Sequence, residues 1–250
     1  MNGRFVRLLS LLVLMAGSAG AQQPREWPVH SPDRPQPPVV DPGAGALPVP
    51  PPKDAIVLFD GSDLSKWVHA DGKAPSFVVR DGYFEVQRGN GNLMTRDGFG
   101  DVQLHVEWST PDPAQGSGQD RGNSGVYLMS KYEVQVLDSY NNTTYADGMA
   151  GALYGQFPPL VNASRPPGAW QSYDIVFRGP RFDSSGRLLR PATITVLHNG
   201  VLVQDHVTLT GPTAHRARPP YEAHPDRLPI LIQDHAHPVR YRNIWLRELR

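Results

Sequence analysis

Short runs in which apolar and polar residues alternate, separated by turn signals, dominate the chain after residue 55. The clearest run is Val102–Ser109, where every second residue is apolar and the residues between are polar. This period of two predicts a strand with one face in a core. Asp81-Gly82 and Asn199-Gly200 each lie between two such runs, which predicts a β-hairpin at each place.

No long stretch shows the 3.6-residue apolar period of a helix, and no unit repeats. Many short strands with frequent turns predict an all-β sandwich or barrel. The predicted strands are 56–59, 77–80, 83–87, 102–109, 123–129, 132–137, 172–178, 192–198, 201–207, 228–233 and 240–249. Two connections, 111–122 and 141–169, are long and polar, and such loops on a rigid sheet often build binding sites.

The N-terminus has the three parts of a secretory signal peptide. Arg4 and Arg7 precede an apolar stretch at 8–15, and small residues follow at 19–21. The apolar stretch is too short to span a bilayer, so cleavage is favoured over an uncleaved anchor. We therefore expect residues 1–21 to be removed, with no membrane insertion afterwards, and the protein to be periplasmic or secreted.

A proline-rich stretch follows the predicted signal peptide. Proline removes backbone donors and fixes φ, so residues 22–53 cannot form a helix or a central strand. This composition predicts a semi-rigid extended linker, and an arm packed on the domain is the alternative for its last part. Residues 54–250 then form a single domain of a length that suits one all-β fold.

Charge and cysteine content exclude several classes of function. The chain has 24 Lys and Arg against 24 Asp and Glu, and removal of the signal peptide takes only Arg4 and Arg7. A chain so close to neutral gives no electrostatic reason to expect a nucleic acid or an anionic membrane as partner. The absence of cysteine excludes disulfides, thiolate metal sites and a cysteine nucleophile.

Several predicted strands carry unusual polar faces. Glu133 and Gln135 share one face of strand 132–137, and Asp138 follows at its end. Arg121 lies in the flanking loop, beside a glycine where a backbone can approach a ligand closely. If the strands are neighbours, one concave polar surface would hold His105, Glu107, Asn123, Tyr127, Glu133 and Gln135. Such a surface suits a small carbohydrate, although a polar strand face is more often simply solvated.

Two further features are candidates for binding. His235 and His237 are two residues apart and follow Asp234, so they can face a divalent cation, but the sequence places no third ligand. A structural turn is an equal alternative for this segment. Trp170 follows a long loop and is the best candidate for a platform that stacks on a sugar, although tryptophan is more often core packing. No nucleophile elbow, P-loop or dinucleotide fingerprint is present.

A set of motifs spread over the chain resembles one known family. The segments are LFDGSDLSKW from Leu58, RGNSGVYL from Arg121, YEVQVLDSY from Tyr132, GALYG from Gly151, PGAWQSYDIVFRGPRFD from Pro167, LHNGVLVQDH from Leu197 and QDHAHPVRYRNIWLREL from Gln233. Together they resemble the bacterial 3-keto-disaccharide hydrolase domain, formerly a domain of unknown function. The resemblance covers nearly all of the chain after the predicted linker.

This resemblance implies a concanavalin A-like jelly-roll sandwich that acts on sugars oxidised at C3. The implied hydrolysis removes the C2 proton, expels the group on C1 and adds water. Glu133 or His105 is then the expected base, and Asp138 or Glu107 the partner acid or base. The expected substrate contacts are Arg121, Asn123, Tyr127, Gln135, Trp170 and His235. No metal ligand is assigned, although a divalent metal ion would suit the C3 oxygen.

Two other functions stay open at this point. The jelly roll also serves lectins, so a non-catalytic carbohydrate-binding module is one alternative. An ordinary glycosidase is the other, and it would need two carboxylates roughly 5 Å or 6.5–9.5 Å apart.

Overall fold

The regular structure of the chain is almost entirely β-strand. The computed structural model describes residues 27–250, and within that range fifteen strands and one short 3-10 helix are present. The strands are β1 Ile56–Phe59, β2 Trp67–His69, β3 Val79–Arg80, β4 Tyr83–Glu85, β5 Leu93–Phe99, β6 Val102–Ser109, β7 Ser124–Leu128, β8 Tyr132–Val136, β9 Gln171–Arg178, β10 Arg181–Phe182, β11 Leu188–Arg190, β12 Thr193–His198, β13 Val201–Thr208, β14 Leu228–Ile232 and β15 Arg240–Glu248. The 3-10 helix is Ala146–Gly148.

The strands form two antiparallel sheets with one core between them. The eight-stranded sheet has the order β13-β12-β9-β6-β15-β4-β3, and β1 also pairs with β15. The five-stranded sheet has the order β2-β5-β14-β7-β8, while β10 and β11 form a separate hairpin. The prediction of an all-β jelly-roll sandwich is confirmed.

The alternation of apolar and polar residues along the strands explains how the core forms. Leu104 and Val106 of β6 and Val134 and Val136 of β8 are buried in the same apolar cluster, although their strands belong to different sheets. Each apolar face is therefore buried against the other sheet, as a two-layer sandwich requires. The opposite face of the five-stranded sheet remains available for polar side chains.

The two predicted hairpins are present. β3 and β4 join at Asp81-Gly82, and β12 and β13 join at Asn199-Gly200. All four turn residues have φ between 50° and 80°. Two successive residues with positive φ are what a type I′ turn requires, so the sequence signal and the observed turn have the same physical cause.

Strands β2, β5, β10 and β11 were not among those predicted. β5 is the most important of them, because it lies second in the five-stranded sheet and contains Asp97-Gly98. That dipeptide is typical of a turn. Here Gly98 lies against the backbone of Arg227, where a Cβ atom would be 3.0 Å from the carbonyl carbon. Gly98 therefore allows the backbone before β14 to lie close to β5, and it does not form a turn.

Residues 27–53, the described part of the predicted linker, lie against the domain. We call them the N-terminal arm. The amide of Val40 donates to the carbonyl of Asn162 at 3.0 Å, and the amide of Val49 donates to Glu107 Oε1 at 2.8 Å. This part of the predicted linker is therefore an arm packed on the domain, because the amides of Val40 and Val49 between the prolines find partners there.

The predicted signal peptide, 1–21, lies outside the described residues. Among residues 27–250, no helix is both long and apolar enough to cross a membrane.

Candidate active site

A cavity of about 420 Å³ opens on the polar face of the five-stranded sheet. Its floor is built by β7 and β8, whose register places Tyr127 opposite Glu133 and Gly125 opposite Gln135. Directly paired residues lie on the same face of a sheet, and so do residues two apart, so all four share the cavity side. The lining residues are Gln119, Asn123, Tyr127, Glu133, Gln135, Tyr145, Tyr154, Thr213, Ala214, His215, Gln233 and His235.

Glu133 is the single carboxylate among these lining residues. Its side chain lies over Gly125, where a Cβ atom would come within 2.4 Å of Glu133 Oε1. Burial raises the pKa of Glu133 to about 8, although a hydrogen bond from Tyr127 favours the ionised form. At neutral pH the carboxyl group is therefore mostly protonated, and it becomes a base just above neutrality.

Three side-chain amides form a connected network beside Glu133. Gln119 Nε2 donates to the carbonyl of Gly148 at 2.9 Å, and Gln135 Nε2 donates to Gln119 Oε1 at 3.1 Å. Asn123 Nδ2 donates to the carbonyl of Gln119 at 2.8 Å. These bonds fix the orientation of the amides before any ligand arrives, which is the property of a preorganised binding surface.

A wall of the cavity is made of aromatic rings from loops. Tyr145 and Tyr154 share a hydrogen bond of 2.9 Å between their hydroxyl groups, and the Tyr154 hydroxyl lies 3.4 Å from His215 Nδ1. Burial raises the pKa of both tyrosines, so their hydroxyls stay protonated and can donate. Half-buried rings and hydroxyl donors that line one cavity together suit the alternating apolar and polar surfaces of a sugar.

The remaining side of the cavity is formed after β14. Gln233 Nε2 donates to the Tyr127 hydroxyl at 3.2 Å, and His235 stacks on His237 with ring centroids 5.8 Å apart. Burial lowers the pKa of His235, so its ring is neutral at neutral pH. A neutral imidazole can donate a hydrogen bond from one nitrogen and accept at the other.

The possible metal site at the histidine pair gains no third ligand. Both carboxylate oxygens of Asp234 accept backbone hydrogen bonds, Oδ2 from Gly89 and Gly91 and Oδ1 from Ala236. Within residues 27–250 no group of three or more His, Cys, Asp or Glu side chains has the arrangement of a metal site.

The cavity unites half of the residues proposed from sequence. Those that line it are Asn123, Tyr127, Glu133, Gln135 and His235. The other predicted site residues, which are absent from the lining, are His105, Glu107, Arg121, Asp138 and Trp170.

Arg121 and Asp138 are bound to each other instead of facing the cavity. Arg121 Nε donates to Asp138 Oδ2 at 2.8 Å, and the Asp138 carboxylate also accepts from the amide of Tyr140. Burial nevertheless raises the pKa of Asp138, because desolvation outweighs the arginine. The pair ties the loop before β7 to the end of β8, so its position is that of a structural support.

His105 and Glu107 lie on β6 in the other sheet. The expectation that they share a surface with Glu133 is wrong, because β6 and β8 belong to different layers of the sandwich. Glu107 accepts hydrogen bonds from Arg242 at 2.7 Å and from Asn243 and the amide of Val49 at 2.8 Å each. These groups saturate the carboxylate and fasten the N-terminal arm.

Trp170 lies away from the cavity as well. The Arg242 guanidinium stacks over its ring at 4.1 Å, and Tyr83 lies 6.0 Å from it. Its face is therefore occupied by a cation–π contact in place of the predicted role as a sugar platform.

The residues missed from sequence come mostly from loops. Gln119 lies in the long connection 111–122, and Tyr145 and Tyr154 lie in 141–169, so the loop signal pointed to the correct segments. His215 lies in a proline-rich stretch that carries no strand pattern and no motif. Nothing in a single sequence places that stretch against β7 and β8.

The comparisons with known proteins give a family and a fold. Residues 54–247 match the model of a protein family described as 3-keto-alpha-glucoside-1,2-lyase-like domain. No curated protein matches the chain.

Three solved structures from Parabacteroides distasonis, each described as a "putative glycosyl hydrolase", are similar to this chain. One is 43% identical with a TM-score of 0.77, over 83% of this chain and 95% of that chain. A second is 18% identical with a TM-score of 0.57, over 79% and 94%. A third is 19% identical with a TM-score of 0.55, over 78% and 99%. The second and third share the fold alone.

Proposed function

The chain belongs to the 3-keto-alpha-glucoside-1,2-lyase-like family, and from that premise we propose that it cleaves the glycosidic bond of 3-keto-glycosides, including 3-keto-disaccharides. The family and the 43%-identical relative support a glycosidase-type enzyme. The observation that carries the finer proposal is Glu133, a buried carboxyl with a raised pKa in a cavity lined by neutral polar and aromatic groups.

The proposed chemistry depends on the acidity that a C3 ketone gives to the C2 proton. Glu133 takes this proton, and the negative charge spreads onto the C3 oxygen as an enolate. The enolate electrons then form a C1–C2 double bond as the bond from C1 to the glycosidic oxygen breaks, and the C3 ketone returns. Water adds at C1 and a proton returns to C2, so the net reaction is hydrolysis.

Each cavity group has a role in this proposal. A base that works near neutral pH needs a pKa near the working pH, and the raised pKa of Glu133 meets this requirement. The preorganised amides of Asn123 and Gln135 already donate their N–H groups to the protein, so they offer side-chain oxygens that accept from sugar hydroxyls. The tyrosine hydroxyls of the aromatic wall supply the donor for charge on the C3 oxygen. His235 is the proposed donor to the leaving oxygen, since its neutral imidazole lines the same cavity.

The cavity is less suited to an ordinary two-carboxylate glycosidase. That reaction needs an acid and a second carboxylate on opposite sides of one glycosidic bond. Among the described residues that line the cavity, Glu133 has no carboxylate partner, since Asp138 and Glu107 are held elsewhere by Arg121 and Arg242. Elimination uses one base and therefore fits the groups that are present.

The test is product analysis with a 3-keto-disaccharide beside its unoxidised parent. We expect the mature protein to cleave only the keto sugar, and the product formed in heavy water to carry deuterium at C2. Glu133→Gln should lower kcat/KM by at least about 100-fold, because it removes the base. Glu222→Gln is the matched control, since it makes the same change at an exposed glutamate outside the cavity lining.

Three results would contradict the proposal. Equal cleavage of the unoxidised parent would indicate ordinary glycoside hydrolysis. Binding of unoxidised glycans without any product would indicate a carbohydrate-binding module. Full turnover by Glu133→Gln would remove Glu133 from the mechanism.

A further inference from the structure

The N-terminal arm contributes an aromatic ring to the back of the cavity wall. The ring centroid of His30 is 3.9 Å from that of Tyr145 and 5.0 Å from that of Tyr154. These are the two tyrosines whose hydroxyls are bonded to each other at the cavity. His30 does not line the cavity itself, so it contacts the wall from behind.

His30 is held in this place by the 3-10 helix. Its amide donates to Asp147 Oδ2 at 3.0 Å, and Asp147 is fully buried. Arg34, also in the arm, lies 3.9 Å from the same carboxylate oxygen. The φ of His30 is 58°, a left-handed conformation that ordinary residues adopt only when the surroundings require it.

The contact of His30 with the wall is one of ring packing. Its side chain is only 9% exposed, yet neither ring nitrogen has a hydrogen-bond partner among residues 27–250. Nδ1 lies 3.6 Å from Asp147 Oδ1, which is beyond hydrogen-bond distance. The carboxylate therefore fixes the backbone of the residue, and the ring fills the space behind the two tyrosines.

We propose that His30 is a positioning residue of the cavity: its ring braces Tyr145 and Tyr154, so that the aromatic wall keeps the orientation in which it receives the sugar. The N-terminal arm is then a working part of the site. The effect on turnover rests on the proposed function, whereas the bracing of the wall can be measured without it.

The experiment compares three variants of the mature protein. His30→Asn tolerates the left-handed backbone and removes the ring. His30→Phe keeps a ring of similar packing and removes the nitrogens. Val39→Ala is the control, because Val39 is in the same arm, is 79% exposed and is held through its backbone.

We expect His30→Asn to lower kcat on a 3-keto-disaccharide about tenfold with a smaller change in KM, because misplaced substrate loses rate more than affinity. Amide hydrogen exchange in residues 144–155 should accelerate in the same variant. His30→Phe should restore kcat to within about threefold of the wild type, and Val39→Ala should match the wild type in both measurements.

Unchanged amide hydrogen exchange in His30→Asn would overturn the claim that His30 braces the two tyrosines. Faster exchange with an unchanged kcat would overturn the claim that this brace matters for turnover. Failure of His30→Phe to restore kcat would overturn the packing explanation. If the wild type cleaves no keto sugar, the proposed function fails by itself. The brace is then judged by exchange and by calorimetric binding of an unoxidised disaccharide: weaker binding to His30→Asn supports it, and equal binding overturns it.

Discussion

At the scale of single residues, Glu133 combines a cost in stability with a use in chemistry. Among the described residues no Lys or Arg lines its cavity, so the charged form loses hydration without gaining an ion pair to either. Tyr127 offsets only part of that loss, and the pKa of Glu133 rises to about 8. A carboxyl poised in this way is typical of sites that move protons, since a purely structural carboxylate acquires partners as Glu107 does.

Glu133→Gln is expected to stabilise the fold while it removes activity. The folded pKa is about 8, against about 4.5 in the unfolded chain. Between these values the unfolded state has released a proton that the folded state keeps, so the stability of the wild type falls as pH rises through this window. Glu133→Gln has no carboxyl group to titrate, so its stability does not fall in this way. Urea unfolding should therefore show a small gain at pH 4 and a gain of a few kcal/mol at pH 9.

Glu222→Gln supplies the comparison for this measurement as well, because a substitution at an exposed surface position should change the free energy of unfolding by no more than about 0.5 kcal/mol at either pH. A gain for Glu133→Gln that is equal at pH 4 and pH 9 would contradict the raised pKa.

At the scale of strands and loops, a period of two predicts which residues share a face but leaves open which sheet a strand joins. It correctly grouped Tyr127 with Glu133 and Gln135, because hairpin partners β7 and β8 are adjacent in sequence. It wrongly added His105 and Glu107, because the assignment of β6 to the other sheet depends on contacts with β9 and β15 far along the chain.

Loops set the limit of what the sequence predicts about the site. The segments 111–122 and 141–169 were identified as long and polar, but their contributing side chains were not. Tyr145 reaches the cavity because the chain turns closely at Gly148, where a Cβ atom would be 2.1 Å from the tyrosine ring. Such close approaches follow from tertiary packing, which turn signals alone do not contain.

Gly125→Ala tests the register of β7 and β8 at the site. The added methyl would lie 2.4 Å from Glu133 Oε1 and 2.8 Å from the Tyr127 ring, so the carboxylate must move. The backbone at Gly125 is not among the positive-φ positions, and alanine fits it without conformational strain. We expect kcat/KM to fall about 10- to 100-fold, because a displaced base loses its alignment with C2.

The accompanying measurement is the circular dichroism spectrum and melting temperature of Gly125→Ala, which should show an intact β-fold. Wild-type turnover by this variant would show that the carboxylate does not need the space above Gly125.

At the scale of the whole molecule, the N-terminal arm links two distant parts of the sandwich. Its first part places His30 behind the cavity on the five-stranded sheet. Its last part crosses the outer face of the eight-stranded sheet, where Val49 binds Glu107 and Asn243. The side chains of His105 and Glu107 are buried on a face that would otherwise be solvated, and the stacked ring of Trp245 helps to cover His105. The polar network of β6 is thus an anchor for the arm.

Glu107→Gln is expected to weaken this anchor in a manner that depends on pH. Burial alone would raise the pKa of Glu107, but hydrogen bonds from His105, Asn243, Val49 and Arg242 together lower it to about 2. The ionised form therefore stabilises the fold above about pH 4.5, and this contribution disappears as pH falls towards 2. It amounts to roughly 3 kcal/mol at neutral pH. Urea unfolding should show the variant clearly less stable at pH 7, with a smaller difference at pH 3.

Glu85→Gln is the matched control for the anchor. Glu85 on β4 binds Arg240, which lies on β15 as Arg242 does, but Glu85 is partly exposed and its ion pair does not include the arm. Its effect should be within about 1 kcal/mol, as for other exposed ion pairs. Limited proteolysis adds the structural readout: Glu107→Gln should expose the arm near Val49 to cleavage at neutral pH, whereas Glu85→Gln should not. An arm equally protected in both variants would mean that its contacts elsewhere, at Asn162 and Asp147, hold it without Glu107.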